Sequence, residues 1–295
     1  MLEIILAAAR FLHFACLTLL FGVVAFPLYA ARDRTPAAWR LRIGDAALPA
    51  IAGALVSGVL WFLMTAAEPS GDLNAVAEPS ALLAALAQVG PFWGVRLALL
   101  LATVAVMARP PSIGRGVAAP ALAGALLASL ALIGHAQGRD GAAHLIHMAA
   151  DALHLLAAGA WIGGLVMLAF VLARASLQDD VDLGRVLSRF SIMAYVAVAA
   201  LIFTGALDSL FEISGPMELL VTGYGRLLSV KLLLFVVMLA LAGAARLRTV
   251  PAIVSGEGER PARLRRLRGQ VLAQQALAVV ILLIVAGLGV LDPGA

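Results

Sequence analysis

Residues 144–172 read HLIHMAADALHLLAAGAWIGGLVMLAFVL, and the part from Leu155 to Leu172 runs for eighteen residues without a charged side chain. A run close to the roughly 20 apolar residues that carry a helix across hydrocarbon has lipid, not water, as its solvent. The residues leading into it are of another kind, because His144, His147, Asp151 and His154 crowd into its first three turns. An apolar span with an ionisable entrance directs the reading of the rest of the chain.

Comparable runs lie near 4–30, 45–67, 92–109, 117–136, 145–173, 190–210, 226–246 and 270–291, which predicts an all-α, polytopic membrane bundle of eight transmembrane helices. Composition agrees: 63% of the 295 residues are hydrophobic and 13% charged, with a mean hydropathy of +1.02. Soluble domains hold about 45–50% apolar residues. Eight spans leave little chain for anything else, so residues 1–295 are expected to form a single membrane domain. The first run lacks a basic leader and is too long for the apolar core of a signal peptide, so it is read as a helix. Pro36, Pro69, Pro79, Pro91, Pro110, Pro111, Pro216, Pro251 and Pro261 fall in the proposed connections, where a missing amide donor is tolerated. Pro27 and Pro49 fall close to helix ends, and Pro120 fits a first turn.

A net charge of +4 invites a nucleic-acid reading, but the positive residues mark topology instead. Of the 21 Lys and Arg, those at 32, 34, 40, 42, 109, 115, 174, 185, 189, 246, 248, 260, 263, 265, 266 and 268 all belong to connections 1–2, 3–4, 5–6 and 7–8. The positive-inside rule makes these connections cytoplasmic and puts both termini outside. The outer connection from Glu68 to Pro91 carries Glu68, Asp72 and Glu78 and no base, which reads as a solvated connector. Arg96, Arg226 and Lys231, near the outer helix starts, are expected to snorkel to the interface. Trp61, Trp93, Trp161 and Tyr224 read as interfacial or packing aromatics.

The chain also resembles itself. His13 precedes Gly22 by nine residues, as His154 precedes Gly163; Ser57-Gly58 matches Thr204-Gly205; and Arg96-Leu97 matches Lys231-Leu232, each six residues after a glycine. The offsets are 141, 147 and 135 in successive spans. Two halves, 1–136 and 137–295, with an even number of spans each, would be a parallel 4+4 repeat about an axis along the membrane normal. His13 and His154 would then be equivalent, at similar depth.

All five histidines, His13, His135, His144, His147 and His154, lie in the expected outer half. At about 100° per residue, His144, His147, Asp151 and His154 occupy a stripe about 80° wide, with Met148 beside it. Imidazole suits copper and zinc alike, whereas a thioether favours Cu(I). Asp151 serves either as a ligand or as the acceptor that fixes an imidazole tautomer. An ionisable residue within a span marks a functional site by default, which selects His13 and His154. His135 ends the fourth run in Gly134-His135-Ala136, beside the start of the fifth. Cys16, the one cysteine, excludes a multi-cysteine site, and Asp208 is a further candidate near the outer end of the sixth span. No nucleophile triad, phosphate loop or nucleotide fingerprint is present.

Several stretches together resemble the copper resistance protein D family: Arg10-Phe11-Leu12-His13, Gly134-His135-Ala136, Asp151-Ala152-Leu153-His154 with Ala160-Trp161-Ile162-Gly163-Gly164, Arg189-Phe190-Ser191 with Thr204-Gly205, and Tyr224-Gly225-Arg226-Leu227-Leu228 with Lys231. The resemblance implies a multi-pass bacterial inner-membrane protein that moves copper between periplasm and cytoplasm and works beside a periplasmic copper-binding protein. It makes the copper ion the expected ligand of His13, His135, His144, His147, Met148, Asp151 and His154. A second reading uses His13 and His154 as axial ligands of haem b, since two imidazoles at one depth on different helices suit bis-histidine ligation. A third is a membrane receptor for a periplasmic copper chaperone.

Overall fold

In hydrocarbon a backbone has no water to bond, so each apolar run closes its own hydrogen bonds as a helix. The structure is a computed structural model that describes residues 1–31, 37–110, 113–133, 142–175, 183–212, 217–255 and 259–291. Its helices are α1 (Leu2–Ala30), α2 (Ala37–Ala67), α3 (Pro79–Met107), α4 (Ile113–Ala128), α5 (Ala142–Ala175), α6 (Leu183–Glu212), α7 (Glu218–Val221), α8 (Gly223–Ala244), α9 (Val250–Val254) and α10 (Arg260–Leu288). A 3-10 turn, Leu73–Ala77, precedes α3, another, Ser129–Leu132, prolongs α4, and a π-turn, Ala245–Thr249, joins α8 to α9. Among the described residues seven helices are long and apolar enough to cross a membrane, and Gly116–Leu132 is a further, shorter apolar segment where the eighth was expected. Among the described residues there is no strand.

Helix starts depart from the apolar runs in one direction. α2 begins at Ala37, α3 at Pro79, α6 at Leu183 and α10 at Arg260, seven to thirteen residues before the runs at 45, 92, 190 and 270. Hydropathy reports where a helix meets hydrocarbon, whereas hydrogen bonding continues through the interface, where arginines remain solvated. The expected outer connector therefore shrinks to Glu68–Glu78, and Pro91 lies inside α3 instead of in a loop. Pro79 and Pro261 occupy first turns, where the amide would be unbonded anyway. Pro49 and Pro120 sit within α2 and α4, away from their ends. Pro251 opens α9 directly after the π-turn.

Two helices form the centre. α1 packs against α2, α4, α5, α6 and α10, and α5 against α1, α4, α6 and α10. They touch where side chains vanish: a Cβ placed on Gly22 would run into the backbone of Gly163 and Gly159, and one on Gly163 into that of Gly22 and Thr18. Small residues at a crossing allow this approach in lipid, where packing and not water drives association. Around the crossing, Phe26, Leu127, Trp161, Met167 and Met238 fill the core. Leu55, Val59, Leu101, Phe203 and Val236 face outward, as side chains in contact with lipid do.

Candidate metal centre

The start of α5 and the end of α6 lie together because consecutive spans run antiparallel. This brings Asp208, in the last turns of α6, against the stripe on α5. His147 Nε2 stands 3.8 Å from Asp208 Oδ1 and 4.0 Å from Asp151 Oδ2. His154 Nδ1 stands 4.0 Å from the other oxygen of Asp208, Oδ2. His147 is buried, while Asp151, His154 and Asp208 are half-buried. One donor atom each from His147, Asp151 and Asp208 lies within 4.8 Å of the others, the single such metal-competent group among the described residues.

Geometry and chemistry agree at this triangle. With two sides of 3.8 and 4.0 Å and a third no longer than 4.8 Å, a point equidistant from the three donors lies about 2.3–2.5 Å from each, which a small closure brings to the roughly 2.0–2.2 Å of nitrogen and oxygen bonds to a borderline divalent ion. One imidazole and two carboxylates form a nitrogen–oxygen donor set, suited to Cu(II) or Zn(II) and poor for Cu(I). The positions at 147, 151 and 154 follow helical spacing, i, i+4 and i+7, which places them on one face.

His154 is oriented from α6. Its Nδ1 is 2.8 Å from Thr204 Oγ1, whose own proton goes to the carbonyl of Ala200 at 2.8 Å. The hydroxyl must therefore accept from the imidazole, so Nδ1 carries the hydrogen and Nε2 keeps the lone pair. Lys231 on α8 is near enough to the same imidazole to act on it electrostatically.

His13 belongs to another cluster. Its Nδ1 is 3.0 Å from Ser57 Oγ, which donates to the carbonyl of Gly53 at 2.5 Å, so this imidazole is also the Nδ1–H tautomer. Its Nε2 accepts from Arg96 Nη2. Arg96 is buried at 3% exposure and its Nη1 donates to Ser129 Oγ at 2.8 Å. It faces the bundle, then, and does not snorkel. Trp61 and Trp93 stand edge-on to the His13 ring, with centroids 5.7 and 5.8 Å away. Both nitrogens of His13 are thus engaged by protein groups, whereas the expected constellation had it presenting a nitrogen to a shared ion or haem.

The remaining candidates divide as follows. His144 and Met148 are half-buried on α5, and His144 is not part of the triangle. His135 lies outside the described residues. Cys16 fits against Gly53, where it packs α1 onto α2. The hydroxyl partners Ser57 and Thr204 are absent from the candidates read in the sequence, although both stand in the matched pairs Ser57-Gly58 and Thr204-Gly205.

Residues 1–145 match the family described as copper resistance protein D-like, N-terminal domain, and residues 184–288 match copper resistance protein D. The chain is 33% identical to copper resistance protein D of Pseudomonas syringae pv. tomato, over 97% of this chain and 96% of that protein. It is 29% identical to inner membrane protein YebZ of Escherichia coli (strain K12), over 97% of each. It is 30% identical to copper transport protein CutJ of Bacillus subtilis (strain 168), over 80% of this chain and 45% of that longer protein. No solved structure matches the chain.

Proposed function

The chain belongs to the copper resistance protein D family, and on that premise we propose that it passes copper between periplasm and cytoplasm, with His147, Asp151 and Asp208 as the ion's first site. It is a multi-pass protein of the bacterial inner membrane that handles copper there. The observation that carries the reading is the triangle: three donors from two helices, converging within 4.8 Å.

In this proposal the copper is cargo and enters from the periplasmic face as Cu(II). Its nitrogen–oxygen donors hold it without the thiolates or thioethers that would trap Cu(I). A site of moderate affinity suits a conductor, since an ion bound too tightly does not leave. A soluble periplasmic copper-binding protein is the donor this reading implies. His154, next along α5 and held in one tautomer by Thr204, keeps the lone pair of its Nε2 for the next step.

Cells that express the wild type, Asp208→Asn or His147→Ala at equal membrane levels test the proposal. Copper content and tolerance are expected to shift with the wild type and to revert toward the empty-vector values with either variant. Equal copper accumulation by all three would remove this site from the path.

A further inference from the structure

Superposing the two halves by their sequence offsets makes their contacts coincide. Ser57 donates to the carbonyls of Gly53 and Ala54, and Thr204, 147 residues on, donates to those of Ala200 and Leu201, again 147 residues on. Each hydroxyl receives the imidazole of its own half, at 3.0 Å for His13 and 2.8 Å for His154. Each following glycine, Gly58 or Gly205, admits that imidazole's Cε1, which a Cβ would approach to 3.2 or 3.6 Å. Each imidazole has a cation on the third span of its half, Arg96 or Lys231. At the crossing, Gly22 and Gly163 meet each other, with Gly159 and Thr18 as the exchanged neighbours. Such reciprocity is the contact pattern of a two-fold axis running between α1 and α5.

Carried across that axis, the metal triangle lands on residues that cannot bind a metal. His147 and Asp151 correspond to Leu6 and Arg10 at the offset of 141, and Asp208 corresponds to Trp61 at the offset of 147. The place is nonetheless cationic. The Arg10 guanidinium lies 4.9 Å from the Trp61 ring centroid, and its Nη1 donates to the carbonyl of Gly289 at 2.7 Å. Gly289 caps α10, so the charge rests between an aromatic face and the negative end of a helix. A Cβ on Gly289 would collide with this guanidinium, so the carbonyl approaches closely because the residue is glycine.

We propose that the bundle contains two copies of one cation site, and that Arg10 is the permanent cation of the first copy, so that the second alone exchanges its ion with solution. The proposal rests on the copper reading of the second copy. Trp61, the end of α10 and the Glu68 carboxylate supply for Arg10 the negative potential that Asp208 and Asp151 supply for a metal. The first half is thereby a fixed structural partner, and His13 is one of its packing hydrogen-bond groups.

The purified full-length protein in detergent, titrated with Cu(II) and analysed for bound metal, tests this. One equivalent is expected in the wild type, retained by His13→Ala and lost in Asp208→Asn, with Asp151→Asn as the second variant should Asp208→Asn fail to fold. Two equivalents, one of them lost in His13→Ala, would overturn the inference and leave the copper site at Asp208 standing. No bound equivalent in the wild type would overturn the copper reading and the inference with it. In thermal unfolding, Arg10→Lys is expected to keep the wild-type midpoint and Arg10→Met to lower it. An Arg10→Met protein as stable as the wild type would show that no cation is needed there.

Discussion

Thr204 leaves His154 a single tautomer: its hydroxyl proton is committed to the carbonyl of Ala200, and its oxygen, 2.8 Å from Nδ1, can only accept. On the proposed path His154 is the stop after the triangle, and loss of a hydrogen bond that orients a metal-binding imidazole typically lowers metal affinity or activity about 10–100-fold. Thr204→Val is therefore expected to reduce copper accumulation by that order while leaving Cu(II) binding at His147, Asp151 and Asp208 intact, and Thr204→Ser, which keeps the hydroxyl, to retain both. Cellular copper content and titration of the purified variants measure the two, and equal accumulation by the valine and serine variants would detach Thr204 from the path.

The donor set makes a second prediction about oxidation state. A site of one imidazole and two carboxylates holds Cu(II) and releases Cu(I). Electron paramagnetic resonance of the Cu(II)-loaded protein is expected to show nitrogen coupling that disappears in His147→Ala. Reduction in the presence of a Cu(I) chelator is expected to empty the site, and copper retained under those conditions would point to sulfur ligands.

The crossing of α1 and α5 predicts a strong position effect among glycines. Gly163→Ala would drive its new methyl into the backbone of Gly22 and Thr18, which rigid helices cannot relieve by a rotamer change. Overpacking of this sort costs about 1–3 kcal/mol. Gly44→Ala, with open space around it, should instead hold or raise stability, as helical alanine gains roughly 0.5–1 kcal/mol over glycine. Thermal unfolding in detergent separates them, and equal midpoints would contradict the close approach.

His13 bears on haem. With Nδ1 on Ser57 and Nε2 on Arg96, it has no nitrogen left for iron unless Arg96 withdraws. The purified protein is expected to lack a Soret band and to give no reduced α and β bands after haem is added. Their appearance, with loss in His13→Ala, would mean that the guanidinium yields its place.

Spans and site were legible to different degrees, for reasons of range. Apolar runs are local, so the seven long helices and the shorter Gly116–Leu132 could be read from them; helix starts could not, because Arg40, Arg42 and Arg260 break the hydropathy and leave the helix unbroken. Pro91 looked like a loop because it costs one hydrogen bond, yet α3 continues through it. The stripe of His147, Asp151 and His154 is visible in one turn-by-turn reading of α5, whereas Asp208 joins it only through the antiparallel return of α6. The division between His13 and His154 was hidden altogether. Two histidines at one depth look alike whether they turn toward each other or apart, and Ser57 and Arg96, which decide the matter for His13, are 44 and 83 residues away.

Asp208 gives each of its oxygens a different neighbour, Oδ1 toward His147 and Oδ2 toward His154, two turns further along α5. On the proposed path, the carboxylate that holds a dication beside His147 also faces the N–H edge of the His154 ring. An acidic side chain shared in this way keeps an ion's charge accompanied in a medium of low dielectric constant, where an unaccompanied charge is most costly. One residue at the end of a helix thus ties the proposed site to the imidazole that its own helix holds in place.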